Sequence, residues 1–335
     1  MPLNQFQKAA RLLCPSYFRM GWRHHCPLGL VCALSCAIGL CALVLLLRGD
    51  ARPILVVDIC PSWCGLGNQM FRYAAALGLA ASTNRTVCIF GLRDAPYYYG
   101  ALPVHAMSRF DQHVTALAPG VTDQCPDWVG RLRPLPLAYA LRVLAPGFMG
   151  VFDPPHSTYV PFPHIPHAKS LLVAGCMQSF KYSAALRPPF FRLHQQREAT
   201  RWMRDRRIDT AIHVRRGDKL TDGSPIAPLA FYERAMRRLP PTARILVCTD
   251  DAAWVRAQPL FANVTVHSRN PGFDMALLAA ATEAVIIGVG TFAWWGAYLS
   301  QAKRVYYYPR MYQGELLRGY VEADYIPPRW QPIPL

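Results

Sequence analysis

Acidic residues are scarce in this chain: 20 Asp and Glu stand against 36 Lys and Arg, a formal charge of +16 over 335 residues. Such an excess favours anionic partners, whether nucleic acid, a membrane surface or a phosphate-bearing substrate. The features that select nucleic acid are missing. The basic residues are scattered or sit in separate pairs, no zinc-finger spacing occurs, and no Lys/Arg block is interleaved with aromatics. A phosphate-bearing small molecule is the better reading. Internal repeats and long low-complexity tracts are also absent, so nothing suggests a solenoid or a disordered chain. With 52% hydrophobic and 17% charged residues, the composition fits a globular body of one large or two ordinary domains plus one apolar segment.

That segment is where charge vanishes altogether. Leu28–Leu47, LGLVCALSCAIGLCALVLLL, carries no charged residue. As a helix, twenty residues span a hydrocarbon core of about 30 Å. The run is longer than a signal-peptide core and lacks a small-residue cleavage site, and it has no polar face of the kind a buried helix shows. Lys8, Arg11, Arg19 and Arg23 precede it without a single acidic residue, which predicts a cytosolic N-terminus and a luminal body, the type II arrangement. Cys14 and Cys26 then fall on the cytosolic side, and Cys32, Cys36 and Cys41 within the span. Six luminal cysteines remain: Cys60, Cys64, Cys88, Cys125, Cys176 and Cys248. An oxidising compartment permits disulfides among them, but their pairing stays open. Two glycosylation sequons, at Asn84 and Asn263, lie in the same part.

Beyond the anchor the sequence alternates between strand-like and helical runs. Ile54–Val57 and Thr86–Phe90 read as strands around a helix from Asn68 to about Ser82. The Pro-, Tyr- and His-rich stretch from Tyr97 to about His167 reads as loops and short helices, and Leu171–Cys176 resumes regular structure. Strands are then expected at Thr210–Val214, Arg244–Cys248, Val264–His267, Ala284–Gly288 and Arg304–Tyr308. Helices are expected between them at Leu229–Arg238, Ala252–Ala257, Asp274–Ala281 and Phe292–Leu299. Such alternation predicts an α/β fold with parallel sheets, here as two doubly wound halves facing a ligand cleft.

Three strand ends carry the chemistry. His213-Val214-Arg215-Arg216-Gly217-Asp218 puts two adjacent arginines directly after a buried strand. One of them pairing with Asp218 would be the plain explanation. At a sheet edge, however, an arginine fork matches phosphate oxygens bidentately. Gly65-Leu66-Gly67-Asn68-Gln69-Met70 is a glycine turn between strand and helix, with Asn68 placed to cap the helix. It is neither a dinucleotide-binding fingerprint nor a Walker loop. Gly288-Val289-Gly290-Thr291-Phe292-Ala293-Trp294-Trp295-Gly296 is another strand–turn–helix, whose tryptophans either pack on the sheet or serve the site. No Asp-x-Asp occurs anywhere in the chain. Enzymes that hold a nucleotide diphosphate through a metal commonly supply that pair, so arginine is the expected counter-charge and no metal is called for.

These motifs carry a resemblance. His-x-Arg-Arg-x-Asp at 213–218 resembles the signature shared by α-1,2-, α-1,6- and protein O-fucosyltransferases. The glycine turn at 65–70, Gln178-Ser179-Phe180-Lys181-Tyr182 and the 290–299 segment resemble the galactoside α-1,2-fucosyltransferases, glycosyltransferase family 11. The likeness runs in order from Ile54 to about Trp330. It implies a two-domain GT-B-like fold, GDP-β-L-fucose as donor, a galactose-terminated glycan as acceptor, inversion at the anomeric carbon, and neither metal nor further cofactor.

Residue by residue, the resemblance implies that Arg215 contacts the β-phosphate and that Arg216 supports the donor site. Asn68, beside Gly67, would reach the phosphate or the fucose. Asp250 and Asp274 would lie near the nucleoside, and Thr291 and Phe292 under the diphosphate and base. His213 and Asp218 join Arg215 as candidate catalytic residues, although Asp218 also suits orienting the arginines. Gln178, Lys181 and Asp222 are weaker candidates for the acceptor side, Asp222 from its place in a polar turn and not from any family match. The implied organisation is a cytosolic tail (1–27), an anchor (28–47), a very short stem (48–53), an acceptor-side half (54–205) and a donor-binding half (206–335) at the Golgi membrane. Two other readings stay open: a different linkage or a protein acceptor within the superfamily, and an inactive membrane-tethered glycan-binding relative.

Overall fold

In the computed structural model the described residues are 55–58, 65–83, 86–90, 98–99, 102–103, 121–122, 149–164, 170–173, 175–182, 193–221, 223–268 and 270–335. The apolar run 28–47, its flanks, Asn84 and Asp222 lie outside them. Among the described residues no helix is long and apolar enough to cross a membrane.

The first half is built on a short, strongly apolar strand, β1 (Leu55–Asp58), followed by the 18-residue helix α1 (Leu66–Thr83) and β2 (Val87–Phe90). A small antiparallel hairpin pairs β3 (Tyr98–Tyr99) with β4 (Leu102–Pro103). Then come β5 (Val121–Thr122), β6 (Met149–Phe152) and β7 (Ser170–Val173). The five-stranded sheet runs β5-β2-β1-β7-β6, every pair parallel. The stretch expected to hold only loops and short helices therefore supplies the hairpin and two strands of the main sheet. These strands are too short for a period of two to stand out, and the prolines around them mask what remains.

The second half follows α2 (Leu193–Asp205). Its strands are β8 (Thr210–Val214), β9 (Ile245–Thr249), β10 (Thr265–His267), β11 (Ala284–Ile287), β12 (Arg304–Tyr307) and β13 (Gln331–Pro332). They form one parallel sheet in the order β10-β9-β8-β11-β12-β13. Counted from its own first strand this is 3-2-1-4-5-6, the doubly wound order, with a switch point between β8 and β11. Helices α3 (Leu229–Met236), α4 (Ala252–Ala257), α5 (Pro271–Ala279) and α6 (Thr291–Leu299) make the crossovers, and α7 (Glu322–Tyr325) precedes β13. β8 and β11 are buried along their whole length, as strands covered on both faces must be. Register aligns His213 with both Cys248 and Ile287, so β8, β9 and β11 end on one edge.

An aromatic cluster joins the halves. Phe71 of α1 lies 4.5 Å from the Trp294 ring and 4.9 Å from Trp295 of α6, both tryptophans fully buried. Each indole N–H is satisfied: Trp294 donates to the Tyr325 carbonyl at 2.8 Å and Trp295 to the Gly67 carbonyl at 2.9 Å. The two tryptophans thus pack the fold rather than line the site. Gly67 is what lets the helices meet. A Cβ there would stand 2.4 Å from the Thr291 carbonyl carbon and 2.6 Å from the Phe292 nitrogen.

Candidate active site at the facing helix starts

β8 ends where its buried run meets Arg215, and the turn that follows is organised by aspartates from the end of β9. Asp250 accepts from the Arg216 backbone N–H at 2.8 Å through one oxygen and from an Arg215 guanidinium nitrogen at 2.5 Å through the other. That approach needs Gly217, since a Cβ there would lie 2.8 Å from the Asp250 carboxylate. The other Arg215 nitrogen stands 2.5 Å from Asp218. This is a charge contact only: the Asp218 oxygen involved receives no well-aligned hydrogen bond. Arg216 pairs with Asp251 at 3.2 Å and lies over the Trp254 ring, 4.0 Å from its centroid. Asp251 also caps α4 by accepting from the Trp254 N–H. Arg215 thus does pair with Asp218, as the plain explanation has it, but the second arginine is held by a carboxylate as well. The arrangement fixes two guanidiniums at the end of a central strand, where ligands of doubly wound sheets bind.

His213, 4% exposed, is the strand residue behind them. Burial holds its pKa down to about 4, with the Asp250 carboxylate opposing the shift and the Arg215 cation adding to it. Its ring is therefore neutral near pH 7, and Nδ1 finds no partner among the described residues. Phe292 stands 5.2 Å from the imidazole. It belongs to the start of α6, which Gly290 introduces at φ 98, a conformation that favours glycine. No side chain caps this helix, and its start packs on Gly67 of α1.

The first half brings its own turn to the same place. Helix α1 begins at Leu66, so Asn68 lies inside the first turn and does not cap the helix as expected. Its side chain is instead spent on tertiary contacts. The Asn68 carbonyl oxygen accepts from the Thr291 hydroxyl at 2.7 Å and from the Gln178 amide at 3.1 Å. The Asn68 amide nitrogen keeps its donors free among the described residues. Gln178 follows Met177, whose φ of 56 is unusual for a non-glycine residue and turns the chain at this point. The Gln178 carbonyl accepts from Tyr312 at 2.6 Å and from Ser157 at 3.3 Å. Arg215, Arg216, Asp218 and Asp250 thus gather at the end of β8, while Asn68, Gly67, Gln178, Thr291 and Phe292 gather at the facing helix starts.

Other expected residues stand elsewhere. Lys181 pairs with Asp324 at 2.5 Å, and Ser179 donates to the Asp324 carbonyl, so this motif ties α7 to the first half. Asp274 is paired with His267 at the end of β10, two strands from β8, and burial raises its pKa against the pull of that histidine. Asn263 is exposed in the turn before β10. Cys88 is in a disulfide, while Cys176 and Cys248 are free thiols. The sequence reading missed Asp251, Trp254, Ser157 and Tyr312. Only Asp251 carried a signal, an aspartate just ahead of a helix.

The sequence profile described as glycosyl transferase family 11 matches residues 158–332. Over 300 residues the chain is 26% identical to a galactoside 2-alpha-L-fucosyltransferase of Caenorhabditis elegans, covering 80% of this chain and 77% of that relative. It is also 30% identical over 106 residues to the O-antigen biosynthesis glycosyltransferase WbnK of Escherichia coli, 27% of this chain and 34% of the other. Among solved structures, fucosyltransferase NodZ from Bradyrhizobium superposes with a TM-score of 0.47 at 17% identity, covering 76% of this chain and 96% of NodZ. The family profile spans more than half of the chain, from the Gln178 segment through both arginines to β13, and the protein belongs to glycosyl transferase family 11.

Proposed function

We propose that the protein transfers L-fucose from GDP-β-L-fucose to O2 of a terminal galactose, forming an α-1,2 linkage with inversion. One observation carries the reading: the Arg215 guanidinium is fixed at the end of β8 beside His213, whose ring meets Phe292 at the uncapped start of α6, where Asn68 also brings a free amide. Those are donors suited to a diphosphate. The galactoside 2-alpha-L-fucosyltransferase relative supports the sugar and the linkage.

In the step we propose, the acceptor O2 attacks the anomeric carbon as the bond to the β-phosphate oxygen breaks. GDP leaves with the bonding pair, and the O2 proton passes to a carboxylate. Asp218 and Asp250 both stand 2.5 Å from Arg215; both Asp250 oxygens already accept hydrogen bonds, so Asp218 is the candidate, with Asp222 the other. Arg215 and the α6 amides stabilise charge growing on the leaving oxygen, so no metal is needed for that purpose. Arg216 and Asp250 keep the turn in place. Phe292 offers a face to the base, while Asp274 would serve the nucleoside only indirectly, by holding the start of α5. The chain would sit in the Golgi membrane as a single-pass type II protein through 28–47, with its body luminal and Asn84 and Asn263 available for glycosylation. Protection of the body from protease in sealed microsomes tests that placement; cleavage from the cytosolic side overturns it.

Incubating the protein with a panel of GDP- and UDP-sugars and defined β-galactosides, followed by linkage analysis of the product, tests the activity. Fucose on O2 of galactose is expected. A different linkage, a protein-only acceptor, or binding without turnover would overturn it in favour of the alternatives.

A further inference from the structure

A cavity of ≈ 640 Å³ opens beside this site, and neither the arginines nor the helix starts use it. Its walls come from the loop after β8 (Ser224), the segment after β12 (Tyr308, Arg310, Tyr312) and the turn before α7 (Leu317, Tyr320). The size falls within the range of about 300–1,000 Å³ typical of small-ligand sites. Its lining mixes tyrosine faces, two prolines, Ile226, Met311 and Leu317 with the polar ends of Arg310, Gln313 and Ser224. Aromatic and aliphatic faces beside a cation, an amide and a hydroxyl suit a sugar, which has one C–H-rich face and a rim of hydroxyls.

Two chains of contacts join the cavity to the reacting centre. On one side Lys219 donates to Ser224 at 3.1 Å and stands 3.8 Å from Asp218, which touches Arg215. On the other, Tyr312 donates to Gln178, Gln178 to Asn68, and Thr291 to the same Asn68 oxygen. The amide of Gln313 reaches the Gly223 carbonyl and holds the two walling segments together. The loop after β8 also crosses the end of β11, since a Cβ on Gly288 would meet Ala227 at 3.1 Å. The cavity therefore lies over β12, next to the switch point and on the side of the arginines away from β9 and β10.

We propose that this cavity is the acceptor subsite and holds the terminal sugars of a β-galactoside. The proposal rests on the glycosyltransferase reading above and adds to it where the acceptor lies. The acceptor is thus gripped by the second half, with Tyr312 in turn held by Ser157 and the His156 ring of the first half. Arg310 and Leu317 are exposed at its mouth, so changing them leaves the core intact.

Saturation-transfer NMR with lactose, on the full-length chain without donor, reads saccharide binding alone; calorimetry with GDP reads the donor site separately. Lactose should show saturation transfer on the wild type. In Leu317→Arg, which fills the mouth, and in Arg310→Ala its affinity should fall roughly tenfold, the scale of one charged hydrogen bond or a steric block. GDP affinity should stay within about twofold in both variants. Lactose binding absent from the wild type, or unchanged in both variants, overturns the proposal. GDP binding absent from the wild type, with lactose binding still lost in the variants, leaves the cavity standing and overturns the donor reading instead.

Discussion

Thr291 donates its hydroxyl proton to the Asn68 side-chain carbonyl at 2.7 Å, a contact spanning 223 positions of sequence and joining the first turns of two helices from opposite halves. It spends the Asn68 acceptor on the fold and leaves the Asn68 donors for a ligand. A double-mutant cycle of Asn68→Ala and Thr291→Ala should give a coupling energy of about 0.5–1.5 kcal/mol in unfolding, the net value of one such bond. Additive single effects would show that the pair does not join the halves. GDP binding should weaken more in Asn68→Ala than in Thr291→Ala, because only the first removes both the bond and a free donor.

Gly67→Ala tests how closely the halves approach. The new methyl group meets backbone atoms of Thr291 and Phe292, which cannot rotate away as a side chain can. A loss of about 1–3 kcal/mol in unfolding is expected, with the tryptophan fluorescence of Trp294 and Trp295 shifting as their packing on Phe71 loosens. An alanine variant as stable as the parent would mean that the two helix starts are not in contact in solution.

Burial of His213 makes stability depend on pH. Its folded pKa, about 4, lies below the ordinary value of 6.5, so the unfolded chain binds the extra proton between those values. Stability from this group is complete above pH 6.5 and falls by about 1.4 kcal/mol per pH unit down toward pH 4. His213→Gln should flatten that part of the stability curve measured by denaturant unfolding. An unchanged slope would show that other groups cause it.

The second sheet is largely legible in the sequence, because β8, β9 and β11 are continuous apolar runs bounded by polar turns, whereas β5 and β6 of the first are not. Where the sequence fails, the cause is physical. β6 is four residues long, with Pro146 just ahead of it and Pro154 and Pro155 just beyond. Helix α2, LHQQREATRWMRD, turns Ala199, Met203 and part of Trp202 inward between charged and polar residues, a thin apolar stripe to read as a periodic face. At the site, the arginines and both glycine turns are legible as local patterns. The roles of Asp250, Gln178 and Tyr312 are not, since each is fixed by a partner from a distant segment.

Metal dependence separates two sources of counter-charge. With no Asp-x-Asp in the chain and two arginines at the strand end, fucose transfer should persist in excess EDTA. Complete loss on chelation, restored by Mn²⁺ alone, would transfer the role of the arginines to a cation.

Arg215 is the residue on which the mechanism turns, and the structure gives it a rival role. One side of its guanidinium touches Asp218 and the other Asp250, so it also ties the loop after β8 to the end of β9. If it serves the leaving diphosphate, its charge matters most as the bond between the anomeric carbon and the phosphate oxygen stretches. Arg215→Ala should then lower kcat by about 10²–10³-fold, the effect of losing one preorganised donor, with a smaller change in KM. Arg215→Lys should recover only part of this, because an ammonium cannot bridge two partners and a phosphate with a planar fork. If its work is structural, Arg215→Ala leaves two carboxylates without their cation and lowers the unfolding temperature. Asp218→Asn and Asp250→Asn should then lower it similarly. Kinetics per folded molecule and thermal unfolding of the four variants separate the two roles. A preserved kcat alongside a sharp fall in stability would show Arg215 to be a tie between strands and remove it from the chemistry.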